Sequence, residues 1–307
     1  MADGSKNDRT LHYGRYFSEE DLWVVRETVR RFPKLSRQEL AKTICENLEW
    51  FAPNGKYKLD GCRRLLEKLA AAGEVVLPPK RDTGPRAFQG EVVVPGIRTA
   101  PGSNISGSVS DVAPASLEPV HSREKIRLWN EYIERYHYLG YKQPVGAHQR
   151  YFIRSDSLDR RLGCLLFSAS AFALAERDTW IGWDQAARRQ RLYLIVNNSR
   201  LLIFPWVRVK NLASKTLSLA ARRVPVDWRE RYGFEPVLLE TFVDTTRYRG
   251  TCYKASNWVF LGETAGRGRA DRYTKRALTR KHIYVYPLHP DFRALLRGEV
   301  SDDGPSP

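Results

Sequence analysis

The run from Val237 to Arg269, VLLETFVDTTRYRGTCYKASNWVFLGETAGRGR, most limits what this chain can fold into. It opens as an apolar strand, with Val237, Leu238, Leu239, Phe242 and Val243, and breaks at Asp244. A Thr/Arg-rich loop follows, then Gly250, a polar-aromatic stretch (Thr251, Cys252, Tyr253, Asn257, Trp258) and a second apolar strand. A buried strand requires neither a carboxylate at its end nor a Tyr, Ser and Asn crowded into the next turn. In α/β folds ligands sit where strands end, so polar groups gathered there mark a candidate site. The same groups can also cap turns in a plain strand–loop–helix–strand connection.

The rest of the chain suggests what such a site would meet. Lys and Arg outnumber Asp and Glu by 51 to 35, a formal charge of +16. Most of the basic residues are Arg mixed with aromatics, which favours nucleic acid over a membrane as partner. From Arg267 to Lys281 the chain reads RGRADRYTKRALTRK, seven basic residues against the single Asp271. Such a face is either solvated or neutralised by a polyanion. The four cysteines (Cys45, Cys62, Cys164, Cys252) form no C-x-x-C pair and have no zinc-like His spacing, which predicts free thiols in a reducing cytosol and no metal site. The N-terminus has no hydrophobic signal core, and no apolar run approaches the roughly 18–20 residues that span a bilayer. A soluble cytoplasmic protein is expected.

At 307 residues and 42% apolar the chain can fill two cores. Residues 1–79 read as three helices. Ser18 opens the first, Ser36-x-x-Glu39 is a capping box for the second, and Asp60 is a cap for the third, which Gly73 closes. A strand is expected at Glu74 to Leu77. This order suits a winged-helix-like DNA-binding domain whose third helix presents Arg63, Arg64 and Lys68 to the major groove; a plain three-helix domain fits equally. Residues 80–120, rich in Pro, Gly and Ser, read as a flexible linker in which Arg81 and Arg86 could reach a phosphate backbone. From 121 to 298 strands alternate with helices, predicting a mixed sheet flanked by helices, and 299–307 reads as a disordered tail. The helices expected there include Ser122 to Arg135, Asp184 to Arg191 and Leu212 to Arg223. The fold class expected overall is α+β, a helical domain plus a mixed-sheet α/β domain.

Three constellations could carry chemistry. His137, set between Tyr136 and Tyr138 and followed by Leu139-Gly140, suits a turn facing a cleft, as an acid or base or as a hydrogen-bonded structural His. At Arg208-Val209-Lys210-Asn211-Leu212-Ala213-Ser214 a strand gives way to a helix, a candidate phosphate cradle or an ordinary Asn211 cap. In the opening run, Glu240, Asp244, Tyr253 and Asn257 offer carboxylates, a phenol and an amide. Metal binding by Glu240, Asp244 and His137 lacks a characteristic spacing, which leaves a nuclease the weakest reading. Arg247, Arg249, Arg267, Arg269, Arg272, Lys275 and Arg276 join the α-helical cations as candidate nucleic-acid contacts.

The strings YHYLGY, RLGCLLFSASAFALAERDTWIGWD, LIVNNSRLLIFPWVRVKNLASKTLSLAARRVP, ERYGFEPVLLETFVD and GTCYKASNWVFLGETAGRGR strongly resemble the Druantia anti-phage protein A family across residues 121–298. That resemblance implies a role in phage defence or association with mobile elements. The order of these motifs is also similar, more distantly, to the GNAT acyltransferase fold, and within it to the branch containing the phage Mu Mom DNA-modification protein. On that similarity His137 and Tyr138 match a His-Tyr pair, and Asn211 and Ser214 match an N-x-x-S element at the cofactor helix. Asp244 and Tyr253 match its acidic and phenolic positions, and Asn257 and Trp258 its N-W pair. The implied catalytic set is His137, Tyr138, Ser214, Asp244, Tyr253 and Asn257, with Arg208, Lys210, Asn211 and Ser214 toward a cofactor. The implied activity is acyl transfer, with a nucleobase amine in DNA as acceptor. The stretch Arg208 to Ser214 contains no Gly, whereas GNAT pyrophosphate loops are glycine-rich, which argues against acyl-coenzyme A as cofactor. The other reading is a non-catalytic DNA-recognition module serving a helicase or transposase.

Overall fold

A computed structural model of the chain describes residues 9–80, 92–144, 146–264 and 279–300. The first strands, β1 (Thr10–His12) and β2 (Arg15–Phe17), pair as a hairpin whose turn residues Tyr13 and Gly14 both take positive φ. Helices α1 (Glu19–Arg31), α2 (Arg37–Asn47) and α3 (Leu59–Ala71) follow. The capping box expected at Ser36 forms, and Ser18, expected to open α1, forms one as well: Ser18 Oγ accepts from Asp21 N and Ser36 Oγ from Glu39 N, each at 3.2 Å. Each such cap stabilises its helix end by about 1 kcal/mol. Asp60 does not cap α3. It lies inside the first turn and pairs with Arg63, while Gly73 sits past the helix end at φ +75°.

Residues 74–77 form no strand. The hairpin of this module precedes α1 instead of following α3, so the described residues lack a wing after the third helix. Val75 is buried and Leu77 packs against the core, but Val76 between them is 91% exposed, and no strand pairs with this short apolar run among the described residues. The helical module is seated on the rest of the chain. Phe32 packs edge-on against Tyr193 and Phe234, at 6.2 and 5.5 Å between ring centres, and Lys34 Nζ donates to Glu230 O at 2.7 Å.

The stretch expected as linker is built structure from residue 97 onward. It holds short 3-10 turns at Ile97–Thr99 and Val109–Val112, β3 (Ile105–Gly107) and β4 (Ala115–Pro119). Their order comes from distant partners. The Tyr132 and Tyr136 hydroxyls donate to the carbonyls of Arg98 and Thr99, and β4 forms one edge of the main sheet. Strands this short, with scattered valines, show no period in the sequence.

After α4 (Arg123–Tyr136) come β5 (His148–Ser155), β6 (Arg160–Ala169), α5 (Ala175–Ile181), α6 (Gln185–Arg191), β7 (Ile195–Ile203) and β8 (Val207–Val209). The chain then forms α7 (Leu212–Tyr232), β9 (Leu238–Asp244), α8 (Thr251–Lys254), β10 (Val259–Glu263), β11 (Lys281–Pro287) and α9 (Phe292–Arg297). The seven-stranded sheet has the order β10-β11-β9-β7-β6-β5-β4, and β3 pairs with β8 beside it. The mixed sheet flanked by helices is therefore present. Every pair in the large sheet is antiparallel except β7 with β9, and a parallel pair needs a crossover, which α7 supplies. The sequence suggested that this helix ends at Arg223, two residues before Pro225. Instead it continues to Tyr232, because the turns beyond the proline bury Trp228 and Tyr232 as Val224 is buried before it. Among the described residues no helix is long and apolar enough to cross a membrane.

The β7–β9 pairing runs only from Ile195↔Leu238 to Asn198↔Thr241. Opposite β6, the register of β7 slips so that Leu166 faces Arg200 and Phe167 faces Asn198, leaving Ser199 as an extra residue. Such a bulge bends its strand, and here the parallel pairing ends beside it. The ends of β7 and β9 then diverge from one another without ladder bonds.

Glu240, at the centre of β9, belongs to the core. It is fully buried, with Oε2 accepting from Arg177 Nη1 and Oε1 from Ala171 N, both at 2.8 Å. Arg177, also fully buried, reaches Asp178 Oδ1 as well, and Asp178 in turn pairs with Arg188 at 3.0 Å. Every oxygen of Glu240 is occupied, so it is not the base that the sequence allowed. Removing one member of a buried pair leaves the other charge stranded. Glu240→Ala should lower the free energy of unfolding by about 3–5 kcal/mol in denaturant titrations; a loss below about 1 kcal/mol would show that the pair contributes little.

Candidate functional site

The diverging ends of β7 and β9 face the exit of α4. His137 caps that helix, its N–H bonded to Ile133 O at 3.0 Å, and Gly140 at φ +59° turns the chain back with its N–H on His137 O at 2.7 Å. The His137 ring lies on Tyr138 with centres 4.9 Å apart, and Tyr138 meets Tyr248 at 5.6 Å. The Arg247 guanidinium stands 5.1 Å over the Tyr138 ring, a cation–π contact. Tyr248, 53% exposed, leaves a ring face open to solvent.

Asp244 ends β9, and its backbone carbonyl accepts from the N–H groups of Arg247 and Tyr248 at 3.2 and 2.9 Å. That tight turn places both side chains beside Tyr138. The Asp244 carboxylate accepts from Thr246 Oγ1 at 2.7 Å and Thr246 N at 3.0 Å. These bonds, the Thr246 hydroxyl foremost, hold its pKa below the usual carboxylate value, with Lys281 and Arg247 adding to the effect. Lys281 lies directly across the ladder from Asp244. Burial pushes the Lys281 ammonium down, Arg200 and Lys142 push it further, and Asp244 opposes them. Burial likewise raises the Tyr138 phenol, and the Asp244 charge adds to that.

His137 is driven down to about 4, first by burial and then by the Arg200 charge, so it is neutral at physiological pH. Its Nδ1 accepts from Leu139 N at 3.2 Å, which leaves the ring proton on Nε2. The free nitrogen is therefore a donor, unsuited to act as a general base.

Tyr253 lies beneath this cluster. Its hydroxyl donates to Asn198 Oδ1 at 2.7 Å, and Thr241 Oγ1 is 3.4 Å away. Asn198 Nδ2 in turn donates to Leu166 O and Arg200 O. The phenol thus ties α8 to the bulged stretch of β7, and burial raises it well above its ordinary value. Trp258 packs edge-on against Tyr253 at 5.1 Å and is buried, so its ring is core. Asn257 is exposed in a left-handed turn at φ +62°.

The β8–α7 junction is separate. Arg208 and Lys210 are exposed, but the Lys210 N–H is taken by Gly107 O at 2.9 Å. Asn211 sits at φ +62° and makes no side-chain cap, while Ser214 Oγ donates back to Asn211 O at 3.0 Å. Among the described residues no hydrogen bond, ion pair or ring contact joins these four residues to the Tyr138–Asp244 cluster.

Of the sequence candidates, His137, Tyr138, Asp244 and Arg247 come together. Arg249 is exposed on the same loop, and Arg63, Arg64 and Lys68 are exposed on α3. Arg81, Arg86, Arg267, Arg269, Arg272, Lys275 and Arg276 lie outside the described residues. The sequence reading missed Arg200, Tyr248 and Asn198, and it treated Lys281 only as part of a basic run. Arg200 and Asn198 were hidden inside an apolar strand; the one available signal was a polar Asn-Asn-Ser-Arg break in it. Among the described residues no group of three or more His, Cys, Asp or Glu could hold a metal ion.

The family model described as Druantia protein DruA matches residues 97–276, more than half of the chain. The chain belongs to this family. The Druantia protein DruA of Escherichia coli (strain UMEA 4076-1) is 34% identical over 89 residues, which are 28% of this chain and 22% of that protein. The match thus spans about a fifth of that relative's length. The family boundary at residue 97 coincides with the first ordered turn of the stretch expected as linker. Similar solved structures include spermidine/spermine N-acetyltransferase SpeG from Vibrio cholerae, 10% identical with a TM-score of 0.36, over 58% of this chain and 94% of that one. A probable GNAT-family acetyltransferase from Chromobacterium violaceum is 13% identical with a TM-score of 0.36, over 69% of this chain and 97% of that one.

The state of His137 can be read directly. A nitrogen-resolved NMR titration should find it neutral and Nε2-protonated at pH 7, protonating only near pH 4. In the unfolded chain its pKa is the ordinary one, so between about 6.5 and 4 the unfolded state binds the extra proton. Stability should therefore fall as pH is lowered through that window. The thermal midpoint of His137→Asn should fall less steeply over the same range.

Proposed function

We propose that this member of the Druantia family is a nucleic-acid-binding protein of phage defence whose cleft at the ends of β7 and β9 seats one nucleotide unit. The observation that carries this reading is the grouping of ring faces and cations on one spot. Tyr138, Tyr248 and His137 supply stacking surface, Arg247 and Lys281 act on the Asp244 carboxylate, and the Arg200 charge acts on His137, Tyr138 and Lys281. Base–aromatic stacking combined with a cationic groove is how single-stranded nucleic acid is held. An ionised Asp244 can accept from the exocyclic amine of a base, which the surrounding cations alone could not recognise. The formal charge of +16 favours the same class of partner.

Recognition fits the cleft better than acid–base chemistry. Nδ1 of His137 is occupied, the Tyr253 phenol is committed to Asn198, and Asp244 is held as a weakly basic carboxylate. This supports a recognition module serving a helicase or transposase. A second reading, acyl transfer to a nucleobase amine, draws on the end of the β7–β9 pairing after Asn198 and Thr241. Nucleoside mass spectrometry of DNA incubated with the protein in cell extract separates the two, since only the second yields a modified base.

Binding is tested with a 3′-labelled single-stranded oligonucleotide bearing a 5′-hydroxyl, by fluorescence anisotropy. Tyr248→Ala should weaken it by about 1–3 kcal/mol, the worth of one stacked base. Affinity should fall with salt at a log–log slope of about −0.7 per phosphate neutralised. A flat salt dependence, or wild-type affinity in Tyr248→Ala, would refute the reading.

A further inference from the structure

A pocket of about 380 Å³ lies where the β5–β6 hairpin meets α4 and the segment after residue 96, and it shares no lining residue with the Tyr138–Asp244 cluster. Its polar lining is Arg154, Arg160, Arg161 and Asp159. Arg154 is already committed, paired with Asp159 and, at 3.4 Å, with Glu118. Arg160 has only a neutral partner, Nη1 donating to Ser103 Oγ at 2.9 Å. Arg161 lies over the Phe152 ring at 4.7 Å, and its buried Nε has no hydrogen-bond partner. Glu118 feels the Arg161 charge, but its carboxylate is bound by Lys125 and Arg154. Among the described residues neither Arg160 nor Arg161 forms an ion pair.

Asp159 and Glu118 answer Arg154, but Arg160 and Arg161 bring two further guanidiniums into the same recess; these repel one another unless an anion joins them, and their planar forks match the oxygens of phosphate. The shape narrows the choice. Tyr132, Phe204 and Trp206 form a stacked back wall, with centres 4.5 and 4.8 Å apart. One side is closed by the chain around Gly102, where a Cβ would come within 2.9 Å of Arg160 Nη2 and of Trp206 Nε1. A phosphodiester carries one charge and continues in both directions, so it needs an open groove. A phosphomonoester carries up to two charges and is attached on one side only, which suits a recess with a closed flank.

We propose that the Arg154–Arg160–Arg161 pocket binds a phosphomonoester, supplied by the 5′-phosphate end of a nucleic-acid strand or by a mononucleotide. The assignment does not rest on the cleft reading. Three probes test it: a 3′-labelled oligonucleotide with a 5′-phosphate, the same strand with a 5′-hydroxyl, and adenosine monophosphate by calorimetry. Each is measured on the full chain and on Arg160→Ala and Arg161→Lys, whose folding is checked by thermal melting. A strand end as ligand predicts that the 5′-phosphate tightens binding about tenfold and that Arg160→Ala removes this gain. A mononucleotide as ligand predicts adenosine monophosphate binding that the same variant abolishes, with no effect of the 5′-phosphate. Arg161→Lys, which keeps the charge but not the fork, should retain only part of either effect. If no phosphate alters binding, or if Arg160→Ala leaves its effect intact, the assignment is wrong. The 5′-hydroxyl strand reads the cleft alone, so the two proposals fail separately.

Discussion

The parallel pairing of β7 with β9, and its end after four residue pairs, is the constraint on which the rest of the molecule depends. It requires the long crossover α7, and that helix runs through Pro225 because its far turns carry Trp228 and Tyr232 into the core. The pairing ends beside the extra residue Ser199. Asn198, the last β7 residue paired with β9, becomes the anchor for Tyr253, so α8 is attached where the strands part. Beyond that anchor the ends of β7 and β9 present side chains to a gap. Arg200 and Asp244 are what they present.

Two carboxylates on β9 show how position alone separates structural from functional charge. Glu240 and Asp244 are four residues apart and so lie on the same face of the strand. Glu240 is covered by α5, and each of its oxygens accepts a hydrogen bond, one from Arg177 and one from Ala171 N. A burial this complete requires a full set of partners, which fixes α5 against the sheet. Asp244, at the strand end, takes two bonds from Thr246 and faces Lys281 across the ladder. The like charges of Lys281 and Arg200 oppose one another, and Asp244 counters the effect on Lys281. An anionic ligand would relieve that opposition, and a flat ring would lie on Tyr138 and Tyr248.

What the sequence revealed follows from the range over which each signal acts. Local chemistry was legible: Ser18 at the start of α1, the Ser36 capping box, Gly73 after α3, and the strand that stops at Asp244 all rest on neighbours within a few residues. The convergence of His137, Tyr138 and Asp244 was visible only through family-like motifs, since these residues are more than a hundred positions apart. Non-local order was not legible. Residues 97–119 look like linker because β3 and β4 owe their form to β8 and β5, and Pro225 reads as a stop because tertiary burial is invisible in propensity. Glu240 looked catalytic for a similar reason. Its partner Arg177 lies in a short helix, α5, that no period announced.

That ordered segment also links the parts of the molecule. Its turn at Ile97–Thr99 is held by two tyrosines on α4, the helix whose exit carries His137 and Tyr138. Its strand β3 takes the Lys210 N–H at the start of α7, so a backbone donor otherwise free to meet a phosphate there is already used. Away from that helix start, positive charge gathers at Arg160 and Arg161 on one side and at Arg200 and Lys281 on the other. One donor of the helix-start cradle suggested by the sequence is thus taken by the very stretch that looked like linker. The places left for an anion are those where a guanidinium faces no carboxylate of its own.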